Sequence, residues 1–254
     1  MIHATAIISP KAELGEKVSV GPYSVIGDRV RIGDNTVIGS HCWVDWAEIG
    51  RNNQISHGVV IGTPPQDVKY RGRETVCRIG DDNVIREYVT IHLASGSQGD
   101  TTVGNGNYLM AYSHVAHNCH IGDLVILANA ANLAGYVLVE DGAVVSGLVP
   151  VHQFVRIGCY SIIGGGYRVP KDIVPYALAG GYPIKIYGLN IVGLRRNNFP
   201  PEVRHTLKDA YHYLFRSNLN TSQALARIKG ELPPLQEVNH LVEFVETSER
   251  GIVR

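Results

Sequence analysis

The chain has 254 residues, with 23 basic and 23 acidic side chains and a formal net charge of +0. That length suits one large domain, or one domain with an appendage, and the balanced charge excludes a global basic field that would gather nucleic acid or an anionic membrane. The 28 glycines and only 7% aromatic residues point to many turns and small side chains.

The chain opens on MIHATAIISPKAELG, which has no basic segment followed by an apolar core, so no signal peptide is expected. No run approaches the roughly 18 apolar residues of a membrane span. The four cysteines (Cys42, Cys77, Cys119, Cys159) form no CxxC pair, so free, reduced thiols in a cytoplasmic protein are expected.

A six-residue period then runs through most of the chain. Aliphatic anchors fall at Ile2, Ile8, Leu14, Val20, Ile26, Ile32, Ile38 and Val44. One residue is dropped, and the anchors resume at Ile49, Ile55 and Ile61. They return in phase at Ile79, Ile85 and Ile91, and again from Val103 at every sixth residue to Val169. The next residue is often Gly, and the residue four after the anchor is small or β-branched. This is the hexapeptide repeat of a parallel β-helix. The anchor points inward, the residue four later fills the corner, and Gly suits turns of unusual φ. Three hexapeptides close a triangular coil, so residues eighteen apart stack at about 4.8 Å, and about ten coils make a prism of about 48 Å.

Two polar loops interrupt the prism, TPPQDVKYRGRETVC (63–77) and LASGSQGDT (93–101), and loops on a rigid scaffold often carry function. The period ends near Gly181 to Leu189. A small helical domain is expected over 187–254, after a β-helix domain over 1–186. Its helices are read from PPEVRHTLKDAYHYLFRS, from TSQALARIKGEL with Thr221 or Ser222 as cap, and from PPLQEVNHLVEFVETSERG ending at Gly251.

The stretch SHVAHNCHIGD places His114, His117 and His120 within eight residues. Coil arithmetic puts His117, Gly135 and Gln153 in one column, eighteen apart, so that Gly135 leaves a notch with a bare backbone N–H. His152 stacks over Ala134 and Ala116 in the adjacent column. His114 stacks under Asn132, which stacks under Pro150, and His92 joins from a lower coil. The result is a concave polar patch. A histidine, with a reference pKa of about 6.5, is a natural general base there. Zinc would need convergent ligands, and histidines three apart on six-residue sides diverge, so no metal and no other cofactor is expected.

The stretches PQDVKY, IREYVTIH, SHVAHNC, LANAANLAGYV, VHQF, LNIVGLRR and the final RGIVR resemble the UDP-N-acetylglucosamine O-acyltransferases that open lipid A synthesis. The resemblance runs nearly end to end. It implies a homotrimer of left-handed β-helices with sites between subunits. It also implies transfer of an (R)-3-hydroxyacyl chain from acyl carrier protein to the glucosamine 3-hydroxyl of UDP-N-acetylglucosamine. It assigns His117 as general base and the Gly135 N–H as oxyanion donor. Gln66, Asp67 and Lys69 match loop contacts to sugar and acyl group, and His114, His152 and Gln153 match substrate contacts. Asn190 and Arg196, with Arg195 beside it, match nucleotide contacts, and Gly165 matches the position that sets chain length. The chain departs from the family at Asn118, commonly Asp, at Tyr136, commonly His, and at Val192 and Asn197, which replace an acidic and a basic residue. These departures leave open an amino-sugar acceptor acylated on nitrogen. Other readings of the repeat are an acyl-CoA-dependent hexapeptide acyltransferase, a γ-carbonic-anhydrase-like zinc lyase, and a non-catalytic scaffold.

Overall fold

A computed structural model describes residues 1–72, 74–96 and 99–254. The repeat builds a left-handed parallel β-helix of three faces, followed by helices. Among the described residues the first face has eight strands, from Ile7–Ile8 to Pro150–Val151. The second also has eight, from Glu13–Leu14 to Arg156–Ile157. The third starts at Ser19–Val20 and has ten, the last two being Ala177–Gly180 and the antiparallel Lys185–Leu189. Neighbouring coils pair in the eighteen-residue register, as His114 with Asn132 and Asn132 with Pro150. The dropped residue appears as the pairing of Ile32 with Ile49.

The anchors form the core. Ile26, Ile61, Ile91, Leu127 and Ile163 are buried, and so are the corner residues Ser24, Thr36 and Cys42 four places after an anchor. The first coil caps the prism: Ile2 is 45% exposed, and Ile8 and Leu14 are only partly covered.

Apart from Gly62 (φ 75°), the glycines after the anchors do a different job from the one expected. Gly21, Gly33 and Gly39 do not have positive φ. They are small because the next coil is close: a Cβ on Gly33 would lie 2.7 Å from the Gly50 carbonyl carbon. The left-handed residue of each corner lies three places after the anchor and is usually not glycine. Examples are Asn35 (φ 59°), Asn118 (φ 58°), Tyr136 (φ 61°) and Phe154 (φ 65°). Its backbone N–H donates to the coil below, as Asn35 does to Glu16 O at 2.9 Å and Tyr136 to His117 O at 3.0 Å. That bond and the stacking hold a conformation that costs an L-residue roughly 1–2 kcal/mol.

Four helices follow: α1 (Ile191–Arg196), α2 (Pro201–Phe215), α3 (Thr221–Glu231) and α4 (Gln236–Glu246). The cap of α3 is Asn220, not Thr221 or Ser222. Its side chain accepts from Gln223 N while the Gln223 side chain accepts from Asn220 N, a capping box. The last helix stops at Glu246, short of Gly251, because the tail turns back to the prism. Asp172 N donates to Gly251 O at 3.1 Å, and Val253 N donates to Asp172 O at 2.9 Å. The Asp172 carboxylate, 1% exposed, accepts from Arg156 N and Ser248 Oγ. No helix among the described residues is long and apolar enough to cross a membrane.

The two kinds of corner position should respond oppositely to mutation. Gly33→Ala is expected to lower stability by about 1–3 kcal/mol, because backbone in the facing coil cannot move aside. Asn35→Gly should stay within about 0.5 kcal/mol of the parent, since glycine adopts positive φ freely. Thermal and urea unfolding midpoints of both variants check this, and equal losses would contradict the assignment.

Candidate active site

Both polar loops leave the prism at the same corner, between the first and second faces. One follows the strand Val60–Thr63 and the other follows Thr90–His92. The next three coils place His117–Asn118, Gly135–Tyr136 and Gln153–Phe154 at that corner. The loops therefore sit immediately below the predicted notch.

The His117 ring lies against the bare Cα of Gly135. A Cβ there would fall 2.3 Å from His117 Cε1 and 2.5 Å from Nε2. No hydrogen bond within the described residues engages the Gly135 N–H. His117 Nδ1 lies 3.0 Å from Asn118 Oδ1. Ser95 N–H donates to that same oxygen at 2.9 Å, which settles the amide orientation. Nδ1 must then carry the proton, leaving Nε2 as the lone-pair nitrogen beside Gly135. Asn118 thus supplies the orientation that a carboxylate would give, without its charge. Charge comes from the loop. The Asp67 carboxyl is held below the usual carboxylate range, first by the Ser95 hydroxyl at 2.6 Å and then by the Lys69 N–H; His117 also lowers it.

Ser95 joins both loops to the histidine, because its carbonyl also accepts from Tyr136 Oη at 3.1 Å. Tyr136 meets His117 edge-on at 5.3 Å and stacks on Phe154 at 4.8 Å. Sequence reasoning passed over Ser95. Its one signal was its place in the second loop, and loop conformation is not periodic. The second loop's Ser97 and Gln98 and the first loop's Arg73 lie outside the described residues.

His114 and His92 stand on the first face, with rings 5.2 Å apart. His92 is 6% exposed, and its Nδ1 lies 3.0 Å from Pro64 O. Burial lowers the pKa of His92 and pushes that of His114 down to about 4, aided by His92 and then His117. Both are neutral near pH 7. His114 pairs with Thr90 Oγ1 at 2.7 Å. His120 points from the second face to Thr102 Oγ1, so the three histidines of the quoted stretch face three directions. Asn132, Gln153 and Gln66 are exposed, and His152 Nδ1 lies 3.1 Å from Gln153 O.

The remaining predicted residues are not at this corner. Gly165 lies at the corner between the third and first faces, above Gly147. Asn190 caps α1 by accepting from Gly193 N, and its amide donates to Tyr160 O, which fixes it at the corner between the second and third faces. Arg195 and Arg196 are exposed on α1 and make no ion pair among the described residues. One chain therefore distributes the predicted residues over three corners.

A hexapeptide β-helix with a tautomer-fixed imidazole beside a bare backbone N–H defines an acyltransferase of the hexapeptide-repeat class. The profile of bacterial transferase hexapeptides (six repeats) matches residues 11–45 and 100–135. The profile described as UDP N-acetylglucosamine O-acyltransferase, domain 2, matches 172–253. An acyl-[acyl-carrier-protein]–UDP-N-acetylglucosamine O-acyltransferase of Thermodesulfovibrio yellowstonii is 51% identical, over 100% of this chain and 99% of its own. One from Syntrophobacter fumaroxidans is 49% identical at the same coverage. The crystal structure of a UDP-N-acetylglucosamine acyltransferase from Bacteroides fragilis superposes with a TM-score of 0.98 at 42% identity, covering 100% of both chains. The chain belongs to the acyl-[acyl-carrier-protein]–UDP-N-acetylglucosamine O-acyltransferase family.

Gly135→Ala should displace the His117 ring while leaving the coil intact, since Gly135 does not need positive φ. Its kcat is expected to fall by about 10²–10⁴ with an unchanged unfolding midpoint. Near-normal turnover would mean that the ring contact is not part of the working site.

Proposed function

We propose that the protein transfers an (R)-3-hydroxyacyl chain from acyl carrier protein to the 3-hydroxyl of UDP-N-acetylglucosamine, the opening step of lipid A synthesis, in the cytoplasm. The observation that carries this reading is the His117 ring on Gly135, with Nδ1 committed to Asn118. His117 Nε2 takes the proton as the sugar oxygen attacks the thioester carbonyl. The Gly135 N–H receives the developing oxyanion. Collapse breaks the carbon–sulfur bond, and the imidazolium returns its proton to the departing carrier thiolate. Asp67, whose carboxyl is held low in part by His117, supplies the negative charge that faces the imidazolium of that intermediate. Neutral His114 and His92, with Gln66, Lys69, His152 and Gln153, line the approach as hydrogen-bonding contacts. The acyl chain runs toward Gly165, where no side chain blocks it.

Purified protein incubated with UDP-N-acetylglucosamine or its 3-amino analogue, and with a series of 3-hydroxyacyl carrier proteins, tests this by mass spectrometry. An ester of the first sugar is expected; an amide of the second alone would move the acceptor atom to nitrogen. His117→Ala should lose about 10²–10⁴ in kcat with its fold retained, because an amide at Asn118 cannot serve as base.

The working unit in this reading is a trimer. The placement of His117 and Arg196 at different corners favours clefts completed by a neighbouring copy, and cyclic symmetry would give three equivalent ones. Trimers reassembled from equal amounts of inactive His117→Ala and Arg196→Ala chains should regain about a quarter of the sites. No recovery on mixing would place each site within one chain.

A further inference from the structure

A second cluster of reactive side chains lies away from the His117 corner. Glu140 follows the second-face strand Leu138–Val139, and Cys159 follows Arg156–Ile157 one coil above it. His240 comes from α4, which packs over this face. Cys159 N–H donates to Glu140 Oε2 at 2.9 Å, and His240 Nε2 lies 2.8 Å from the same oxygen. A sulfur, an imidazole nitrogen and a carboxylate oxygen all lie within 4.8 Å of one another, and all three residues are half-buried. The three line a cleft between the second face and α4, with Asp141, Tyr160 and Asn239 among its other walls.

We propose that Cys159, His240 and Glu140 form a binding site for a soft divalent cation of the zinc class. Zinc bonds to sulfur at about 2.3 Å and to nitrogen or carboxylate oxygen at about 2.0–2.2 Å, so tetrahedral ligands stand about 3.5 Å apart. The three ligand atoms, within 4.8 Å of one another, would draw together to that spacing around an ion. It offers three protein ligands and a fourth position open to the cleft. The cysteines also sort themselves. Cys42, Cys77 and Cys119 are buried, and burial pushes the thiols of Cys77 and Cys119 up to about 12; Cys159 is the one with access to solvent. A cation would displace the thiol proton as it binds. Because one ligand comes from α4 and two from adjacent coils, the ion would fasten the helical tail to the prism. This site does not depend on the chemistry at His117.

The test uses full-length protein stripped with a chelator and titrated with Co²⁺ alone, then with Zn²⁺ alone. Expected are a thiolate-to-cobalt charge-transfer band saturating at one ion per chain, its loss on adding Zn²⁺, and a higher unfolding temperature with Zn²⁺. Cys159→Ser should remove the band, and both it and Glu140→Gln should bind Zn²⁺ at least about 100-fold more weakly. His117→Ala should bind as the parent does. Absence of the band in the parent protein overturns the proposal, as does Zn²⁺ binding that persists in both Cys159→Ser and Glu140→Gln or is lost in His117→Ala.

Discussion

Coil-to-coil hydrogen bonding at an eighteen-residue register is the constraint from which the other features follow. Each strand is only a few residues long and cannot be stable alone; it is held by the strands of the coils above and below. That ladder brings backbones close enough at the corners to exclude a Cβ at Gly21, Gly33 and Gly39. It also holds the left-handed residue of each corner by a bond from its N–H to the coil below. Small size and unusual φ are thus separate requirements, met at positions two residues apart.

The candidate active site uses the same geometry. A glycine in one coil lets a larger side chain of the next coil lie flat against the backbone, as the His117 ring does on Gly135, whereas Gly147 under Gly165 leaves a bare patch at a different corner. The prism supplies rigidity, which preorganised hydrogen-bond donors require. The loops supply what the prism cannot: Asp67, Lys69 and Ser95 are not on the periodic wall. Ser95 is the joint between the two, fixing Asn118 through its N–H, Asp67 through its hydroxyl and Tyr136 through its carbonyl.

The substitutions Asn118 and Tyr136 make physical sense at this corner. Asparagine tolerates the left-handed backbone, and its side-chain oxygen still sets the tautomer of His117. Tyrosine braces the ring edge-on and reaches the second loop with its hydroxyl. In consequence the loop, His117 and Asn118 form one connected unit.

The sequence alone determined the β-helix, its register, the pairing of His117 with Gly135, the columns of His114 and His152, and the helical tail, because each is a consequence of a strict period or of apolar spacing. The quoted motifs carried the family resemblance. Tertiary structure decided the rest. The role of the glycines after the anchors depends on the distance to the next coil, which a period does not encode. Asn220 took the cap of α3 in place of its neighbours because its side chain reaches Gln223 N. Ser95 and the Glu140–Cys159–His240 cluster join residues 19 to 100 positions apart, through loop and helix packing that the period does not specify. The corner that carries Asn190 and α1 was decided by the Asn190 amide donating to Tyr160 O, a contact made beyond the end of the period.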